Sequence, residues 1–473
     1  MPFPLTRELG RYVAAARYSQ LPAAALPSIR VAFVDTICVA IAGAHEAAPR
    51  ALVAMLSPTG NESTLLGCTG RSGALEAARI NGTSAHALDF DDIAERGGHV
   101  SAVLVPAILA EAEALGATGE QMALAYAVGF ETIAEIVRRD ADQHHDKGWH
   151  PTPVFGAIGA AAACASLRGL DAEQAMMAIA ISASHSSGIM SNVGTMTKPL
   201  HAGLGAYAGV ASARLAALGF TGAPDALEHR AGFLAAVSPA GKIDVESPML
   251  AGTAWQICDG NRLSVKKYPL CFFAHRAVDG LLDLLQATPV AADDVERVTV
   301  SIGAPNASVL RYHLPQTGLE AKFSMEFAVA CGIIAGRLGL AQFTDAFVQR
   351  DDVQRLMKRV VVEGDPREDP EKPGYAVFDR VTIQTTDDIR VDSGPITRLR
   401  GSADVPLRRD ELRQKFDGCL QVGGPGLRGD LLFDAVMHLE TLPSARTLGA
   451  LLGCVADSRS PKLRSQATAT APD

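Results

Sequence analysis

The stretch Asn81–Ile93 reads Asn-Gly-Thr-Ser-Ala-His-Ala-Leu-Asp-Phe-Asp-Asp-Ile, with ionisable side chains among small and apolar residues. His86, Asp89 and Asp92 are spaced by three, so on a helix they share one face. An imidazole beside two carboxylates can do acid–base chemistry. Two other interpretations stay open. The acids could be solvated at a helix end, or they could bind metal, although the second Glu-x-x-His helix of a di-iron centre is not evident.

Further candidates lie downstream. His99 follows two glycines, and His150 precedes a proline, which places it in extended backbone outside a helix. Lys198 also precedes a proline, in a small apolar neighbourhood, with His201 three residues on. A partly desolvated lysine suits anion binding or proton transfer. The alternatives are structural histidines and a surface lysine at a helix start.

The segment Lys266–His275 reads Lys-Lys-Tyr-Pro-Leu-Cys-Phe-Phe-Ala-His and lies where a helical pattern gives way to strands. Clefts commonly form at such junctions between domains. Cys271 is a candidate nucleophile. Its apolar neighbours equally fit an inert core cysteine.

Residues Gly203–Ala208 match the spacing of a dinucleotide-binding fingerprint, with Ala in the last position. That motif requires a preceding strand, and none is predicted there. We therefore interpret these small residues as a helix-packing surface.

Two kinds of element must position these residues. From Thr6 to about Arg262, apolar residues recur every three or four positions, which predicts helices. Alternation after Pro289 predicts strands instead. The predicted strands are Glu296–Ile302, Arg359–Glu363, Val381–Thr385 and Arg390–Asp392, with a turn at Asp387-Asp388 before the last.

The predicted fold is therefore mainly α. A large all-helical domain spans residues 1–265, and a smaller α/β domain spans 266–400. Helices over 401–455 return to the helical domain. The polar segment 456–473 is predicted to be a disordered tail.

Composition narrows the function classes. The 473 residues are 48% hydrophobic but only 5% aromatic, which favours close-packed helices, and the net charge is −9, which argues against nucleic-acid backbones as partners. Eight dispersed cysteines disfavour a disulfide scaffold or a zinc module and favour the cytoplasm. Neither a secretory leader nor an apolar run of about twenty residues is evident, so we expect no membrane association.

Four motifs, taken in order, resemble the MmgE/PrpD family, which includes 2-methylcitrate dehydratase, cis-aconitate decarboxylase and iminodisuccinate epimerase. They are Asn81–Asp92, Gly148–Thr152, Thr195–Gly203 and Lys267–His275. The resemblance covers residues from about 5 to 450. It implies a large helical domain, a smaller α/β lid domain, a homodimer, and an active site between the domains that works without metal or organic cofactor.

The resemblance also implies residue roles. The catalytic candidates it indicates are Asp89, His99, His150 and Lys198. The substrate-binding candidates are Lys266, His275, His201, Ile93, Cys271 and Phe327. Family substrates are small di- or tricarboxylates that react through a carbanion or enediolate, so the site needs fixed positive charge and an acid–base pair.

Three positions depart from the pattern of cis-aconitate decarboxylases. Ile93, Cys271 and Phe327 stand where those enzymes have Thr, His and Tyr, which disfavours decarboxylation of cis-aconitate. Our first hypothesis is a dehydratase acting by β-elimination on a hydroxy-carboxylate. The alternative is an epimerase of an amino- or imino-dicarboxylate. A catalytically silent binding protein is a third reading, since a fold does not fix a reaction.

Overall fold

The computed structural model describes residues 2–94, 96–258, 263–370 and 372–453, and the architecture is mainly α. The predicted tail over 456–473 lies outside the described residues. The helices of the first half are α1 Leu5–Ala15, α2 Leu26–Gly43, α3 Ala47–Leu56, α4 Ala74–Ala87, α5 Ser101–Leu115, α6 Gly119–Val137, α7 Pro151–Leu167, α8 Ala172–Ala183, α9 Thr197–Ala217 and α10 Phe233–Val237. Those of the second half are α11 His275–Ala287, α12 Ala304–Val309, α13 Gly318–Ala321, α14 Met325–Ala335, α15 Asp345–Val348, α16 Asp351–Met357, α17 Arg409–Gly423, α18 Gly429–Met437 and α19 Ala445–Leu452.

The strands are short, apart from four in the second half. They are β1 Ser63–Thr64, β2 Arg71–Ser72, β3 Ile93–Ala94, β4 Leu263–Ser264, β5 Val295–Gly303, β6 Val360–Asp365, β7 Glu368–Asp369, β8 Lys372–Ala376, β9 Arg380–Thr385 and β10 Arg390–Asp392.

Buried apolar residues form two cores. The first draws on residues 5–257 and 412–452, so α17–α19 pack back onto the N-terminal helices. The second is built from residues 268–383. The chain therefore crosses from one core to the other near residue 266 and returns near residue 410.

Helices α4 and α9 approach closely because small residues line their contact. A Cβ on Gly203 would lie 2.2 Å from the Arg79 carbonyl oxygen and 2.2 Å from Thr83 Oγ1. This contact confirms that the glycines near residue 203 serve helix packing. It also fixes the distance between the ends of α4 and α9, where the candidate site lies.

The second core holds a four-stranded sheet in the order β10-β9-β5-β6. Strand β5 pairs in parallel with β6 and antiparallel with β9, and β9 and β10 form a hairpin. All four strands match the predicted ones to within one or two residues. Asp388 adopts φ 67° in the hairpin turn, as an aspartate tolerates.

Two expectations for the first half were wrong. Beyond Ala217 the only α-helix among the described residues up to 258 is α10, because glycines and prolines interrupt the apolar periodicity. The part predicted to be all-helical also contains the antiparallel strand pairs β1–β2 and β3–β4.

Among the described residues, one helical stretch, Ala23–Gly43, is long and apolar enough to cross a membrane by length and composition alone. Two thirds of its apolar window (67%) is buried inside the protein, and buried core helices pass the same test.

Candidate active site

Asp89 lies at the centre of a buried cluster of charged side chains. Helix α4 ends at Ala87, and Asp89 takes a left-handed conformation with φ 51°. The expected helical stripe of His86, Asp89 and Asp92 is therefore wrong. The chain turns at Asp89, so the carboxylates that follow it leave the helix axis and point in different directions.

Two lysines neutralise the Asp89 carboxylate. Lys198, in the first turn of α9, forms an ion pair with Oδ1. Lys266 Nζ donates to Oδ2 at 2.9 Å and to the Asp89 carbonyl oxygen at 2.8 Å. Burial alone would raise the pKa of Asp89, but these ammonium groups hold it well below its usual value. Asp89 is consequently an anion at any pH near neutral.

A third lysine, Lys322, was missed by the sequence analysis. It follows α13 in the second core, is 5% exposed, and donates from Nζ to the carbonyl oxygen of Leu88, next to Asp89. Burial lowers its pKa to about 8. The available signal was a lysine within the apolar stretch Ala321–Met325.

Four histidines line the same region. The ring centroids of His86 lie 4.5 Å from His99 and 5.7 Å from His150, and those of His150 and His201 are 5.3 Å apart. Burial lowers the pKa of His86 to about 4 and that of His150 well below its usual value, and it also lowers the pKa of His201. These three imidazoles are therefore neutral near pH 7.

The His150 and His201 side chains are joined through their Nδ1 atoms, 3.1 Å apart. One ring donates a proton and the other accepts it, so the two neutral rings must be opposite tautomers.

Gly98 explains how His99 reaches the cluster. It adopts φ 74°, and a Cβ there would lie 2.7 Å from Thr152 Oγ1. The His99 backbone N–H donates to that same hydroxyl at 3.0 Å. The glycine thus lets the loop press against α7, which carries His150 at its N-cap.

The remaining predicted residues have different surroundings. Cys271 is buried, and burial with the nearby Asp89 raises its pKa to about 11, so it is a neutral thiol rather than an activated nucleophile. His275 is fully buried with Nε2 3.2 Å from the Leu270 carbonyl oxygen, and burial with the Lys266 charge lowers its pKa to about 3. The Lys266 charge acts on both groups.

The structure does not bring Phe327 to this cluster. Its side chain is fully buried in the second core, where its ring lies 5.2 Å from that of Phe343 and 6.3 Å from that of Phe347. Ile93 is half-buried in β3, opposite Ser264 of β4.

Lys415, which the sequence analysis also missed, supports the cluster from α17. Its Nζ donates to the carbonyl oxygens of Phe90 at 2.7 Å and Lys266 at 2.8 Å, and it forms an ion pair with Asp35 of α2. Its charge also lies 4.0 Å from the centre of the Phe90 ring. Lys415 therefore ties the Asp89 loop and the Lys266 segment to the first core.

Within the described part of the chain, His86, Asp91 and His99 are the three side chains whose potential metal-ligand atoms all lie within 4.8 Å of one another. His86 Nδ1 and Asp91 are hydrogen-bonded at 2.9 Å, and His99 Nδ1 lies 3.0 Å from Asp91 Oδ2 without the alignment of a hydrogen bond. The expectation of a site without metal stays a prediction.

The comparisons with known proteins give the family. A model of the MmgE/PrpD N-terminal domain matches residues 7–246, and a model of the MmgE/PrpD C-terminal domain matches residues 268–430. The chain belongs to the MmgE/PrpD family. Within this MmgE/PrpD chain, Asp89 and Lys198 come from the N-terminal match and Lys322 from the C-terminal one, with Lys266 between them.

Curated relatives of this MmgE/PrpD protein carry decarboxylase names. "Cis-aconitate decarboxylase" of Homo sapiens is 28% identical over 390 residues, covering 80% of this chain and 79% of the relative. The Mus musculus protein of the same name is 29% identical over 353 residues, covering 72% and 70%. "Cis-aconitate decarboxylase-like protein oryM" of Aspergillus oryzae is 26% identical over 477 residues, covering 95% and 97%. Decarboxylases are lyases, so the similarity supports a lyase at the level of enzyme class.

Proposed function

We propose that this protein is a cofactor-independent lyase that eliminates water from a small hydroxy-di- or tricarboxylate through an enediolate intermediate. The observation that carries the proposal is the buried Lys198–Asp89–Lys266 arrangement, with neutral imidazoles alongside.

Charge is the first argument. Lys198 and Lys266 pair with the Asp89 carboxylate, and Lys322 holds the carbonyl oxygen of the adjacent Leu88. All three lysines are at most 9% exposed, so the region is nearly closed to water. Fixed positive charge at a site of low dielectric stabilises an enediolate far better than it would in water. The same groups would bind the carboxylates of the substrate before reaction.

Acid–base capacity is the second argument. A β-elimination needs a base for the α-proton and an acid for the departing hydroxide. Neutral imidazoles such as His150 offer a basic nitrogen, and an ammonium group such as Lys198 can donate a proton to the leaving oxygen. Lys198 forms an ion pair with Asp89, and its charge also acts on His150.

Decarboxylation of cis-aconitate is the second candidate, because the curated relatives bear that name. Loss of carbon dioxide instead of a proton would leave the electron pair of the broken bond on carbon, as a carbanion that the same positive charges stabilise. Ile93 and Cys271 still argue against it, since an apolar side chain and a neutral thiol replace the polar groups expected for that substrate.

The test incubates the purified protein separately with 2-methylcitrate, citrate, cis-aconitate and an amino- or imino-dicarboxylate in deuterium oxide. Proton NMR and carbon dioxide release are then measured. Dehydration gives a conjugated alkene from a hydroxy-acid without carbon dioxide. Carbon dioxide from cis-aconitate would instead establish the decarboxylase. Deuterium entering an α-carbon of an amino- or imino-dicarboxylate without an alkene would establish the epimerase.

A thermal-shift series tests binding apart from turnover. A ligand that binds only the folded state raises the melting temperature. At a ligand concentration one hundred times Kd, the free energy of unfolding rises by about 2.7 kcal/mol. We expect stabilisation by di- and tricarboxylates and none by matched monocarboxylates at equal ionic strength. Absence of any shift at saturating tricarboxylate would contradict a carboxylate site.

A further inference from the structure

Asp91 lies between two histidine side chains and contacts both through the same atom type. His86 Nδ1 is 2.9 Å from Asp91 Oδ2 and 3.1 Å from Oδ1, and His99 Nδ1 is 3.0 Å from Oδ2. Asp91 and His86 are at most 1% exposed, and His99 is 7% exposed. The contacts are therefore shielded from water.

The chemistry of these contacts restricts where the protons sit. Burial alone would raise the pKa of Asp91, but the two imidazoles hold it well below its usual value, so Asp91 is ionised and can only accept hydrogen bonds. His86 Nδ1 is hydrogen-bonded to Asp91 and must then carry a proton. His99 Nδ1 lies 3.0 Å from the same carboxylate without the alignment of a hydrogen bond, and the Asp91 charge favours a proton on it. In a neutral imidazole this leaves the lone pair on Nε2.

The two Nε2 atoms have different surroundings. His99 Nε2 lies 4.0 Å from Asp89 Oδ1, on the side of the lysines. His86 Nε2 is buried and has no hydrogen-bond partner among the described residues. Of these two Nε2 atoms, that of His99 is the one that faces the Asp89 cluster.

The neighbouring acids have other roles. Asp89 is occupied by Lys198 and Lys266. Asp92 contacts neither imidazole, and burial together with the nearby Asp35 raises its pKa well above the usual value. Three acids in four residues thus have three different environments, and only Asp91 is available to orient histidines.

We propose that Asp91 is a positioning residue that holds both His86 and His99 as Nδ1–H tautomers and thereby presents His99 Nε2 as the basic atom at the Asp89 cluster. The use of that atom in proton transfer rests on the proposed function. The tautomer assignment itself does not.

The experiment measures nitrogen-15 shifts of histidine rings in the full-length protein at pH 7, with His86→Gln and His99→Gln variants used to assign the two rings. We expect protonated Nδ1 and unprotonated Nε2 in both. Asp91→Ala removes the acceptor, and a proton should then appear on Nε2 of one or both rings. Asp92→Asn is the matched control, since it replaces a neighbouring buried acid that touches neither imidazole, and both tautomers should persist.

Unprotonated Nδ1 in the wild-type protein, or Nδ1–H retained on both rings in Asp91→Ala, would overturn the proposal. Binding of one Co²⁺ per chain, with a ligand-field spectrum that Asp91→Ala abolishes, would also overturn the proposal. The reason is that an Nδ1 atom that ligates a metal carries no proton. If Asp91→Ala does not fold, the wild-type spectrum still tests the tautomers. The isosteric Asp91→Asn variant gives a second test, since the Nδ1 shifts of both rings should then change.

Turnover provides a second readout. On whichever carboxylate the protein converts, Asp91→Asn should lower kcat by about 100-fold or more while KM changes by less than about threefold, since the residue touches no substrate. A rise in KM with kcat unchanged would contradict a positioning role. If none of the carboxylates is converted, the proposed function fails, and the ring shifts still test the tautomers.

Discussion

Lys266 Nζ donates both to the side chain and to the backbone carbonyl of Asp89, at 2.9 and 2.8 Å. One ammonium group therefore balances the carboxylate and holds the left-handed turn that presents it. The carbonyl oxygen of Lys266 is held in turn by Lys415. The charge at the site and the loop geometry are thus maintained by the same short chain of contacts.

Replacing Asp89 by Asn should lower kcat by about 100-fold or more while leaving the fold intact. Asn tolerates positive φ as well as Asp does, so the turn is kept and only the charge is lost. Steady-state kinetics with a melting curve checks this. Asp388→Asn is the matched control, because Asp388 also has positive φ but lies exposed in the β9–β10 turn. Near wild-type turnover in Asp89→Asn would remove it from the catalytic group.

Lys322 should produce a basic limb in the pH dependence of kcat/KM. Its pKa is lowered from 10.5 to about 8, so its positive charge is lost as pH rises through about 8 and carboxylate binding should weaken there. Lys322→Arg should shift this limb to higher pH, and Lys322→Met should remove it at a lower overall kcat/KM. Lys267→Met serves as control, since Lys267 pairs with Glu411 outside the cluster. An unchanged limb in Lys322→Met would assign the titration to another group.

The lowered pKa of Lys322 also predicts how the free energy of unfolding varies with pH. Between about pH 8 and 10.5 the unfolded chain binds the Lys322 proton and the folded chain does not, so this group makes unfolding less favourable as pH rises across that window. Lys322→Met should remove this contribution. Urea unfolding of both proteins at several pH values measures it, and equal slopes would contradict a folded-state pKa of about 8 for Lys322.

Lys415→Met should destabilise the protein by about 3–5 kcal/mol, because it leaves Asp35 buried without its partner. It also leaves the Phe90 and Lys266 carbonyl groups without a donor. Adding Asp35→Asn should recover part of the loss, since the orphaned charge is then absent. Urea unfolding measures each variant, with exposed Lys358→Met as a control expected near zero. A loss below about 1 kcal/mol would contradict this role.

Gly203→Ala should destabilise by roughly 1–3 kcal/mol, because its Cβ would lie 2.2 Å from two atoms of α4 and force the helices apart. Turnover should fall too, since Lys198 lies on α9 and its ion-pair partner Asp89 lies two residues beyond the end of α4. Gly418→Ala is the matched control in a helix with open space, where Ala should stabilise by about 0.5–1 kcal/mol. Similar melting temperatures for both variants would show that the α4–α9 contact can relax.

Local patterns predicted much of the architecture because they report on short-range physics. Residues alternate between apolar and polar over Val381–Thr385, two aspartates follow, and Arg390–Asp392 comes next. This pattern predicts a hairpin, and the chain forms it. The same kind of reasoning gave a wrong prediction at Asp89, because the helical spacing was assumed to continue beyond Ala87, where α4 ends. The left-handed turn there is held by Lys266, which lies 177 positions away, and no local pattern contains that contact.

The sequence by itself determined the family and the mainly helical architecture, and its contiguous motifs predicted Asp89, Lys198 and the histidines as site residues. Only the tertiary structure decided which side chains share a site. It brought in Lys322 and Lys415, 234 and 325 positions from the carbonyl groups they hold, and it placed Phe327 in a core. It also placed the acids of one motif in different surroundings: Asp89 pairs with lysines, and Asp91 lies against imidazoles. The physical reason is that burial and charge pairing, which set protonation, arise from contacts between distant segments.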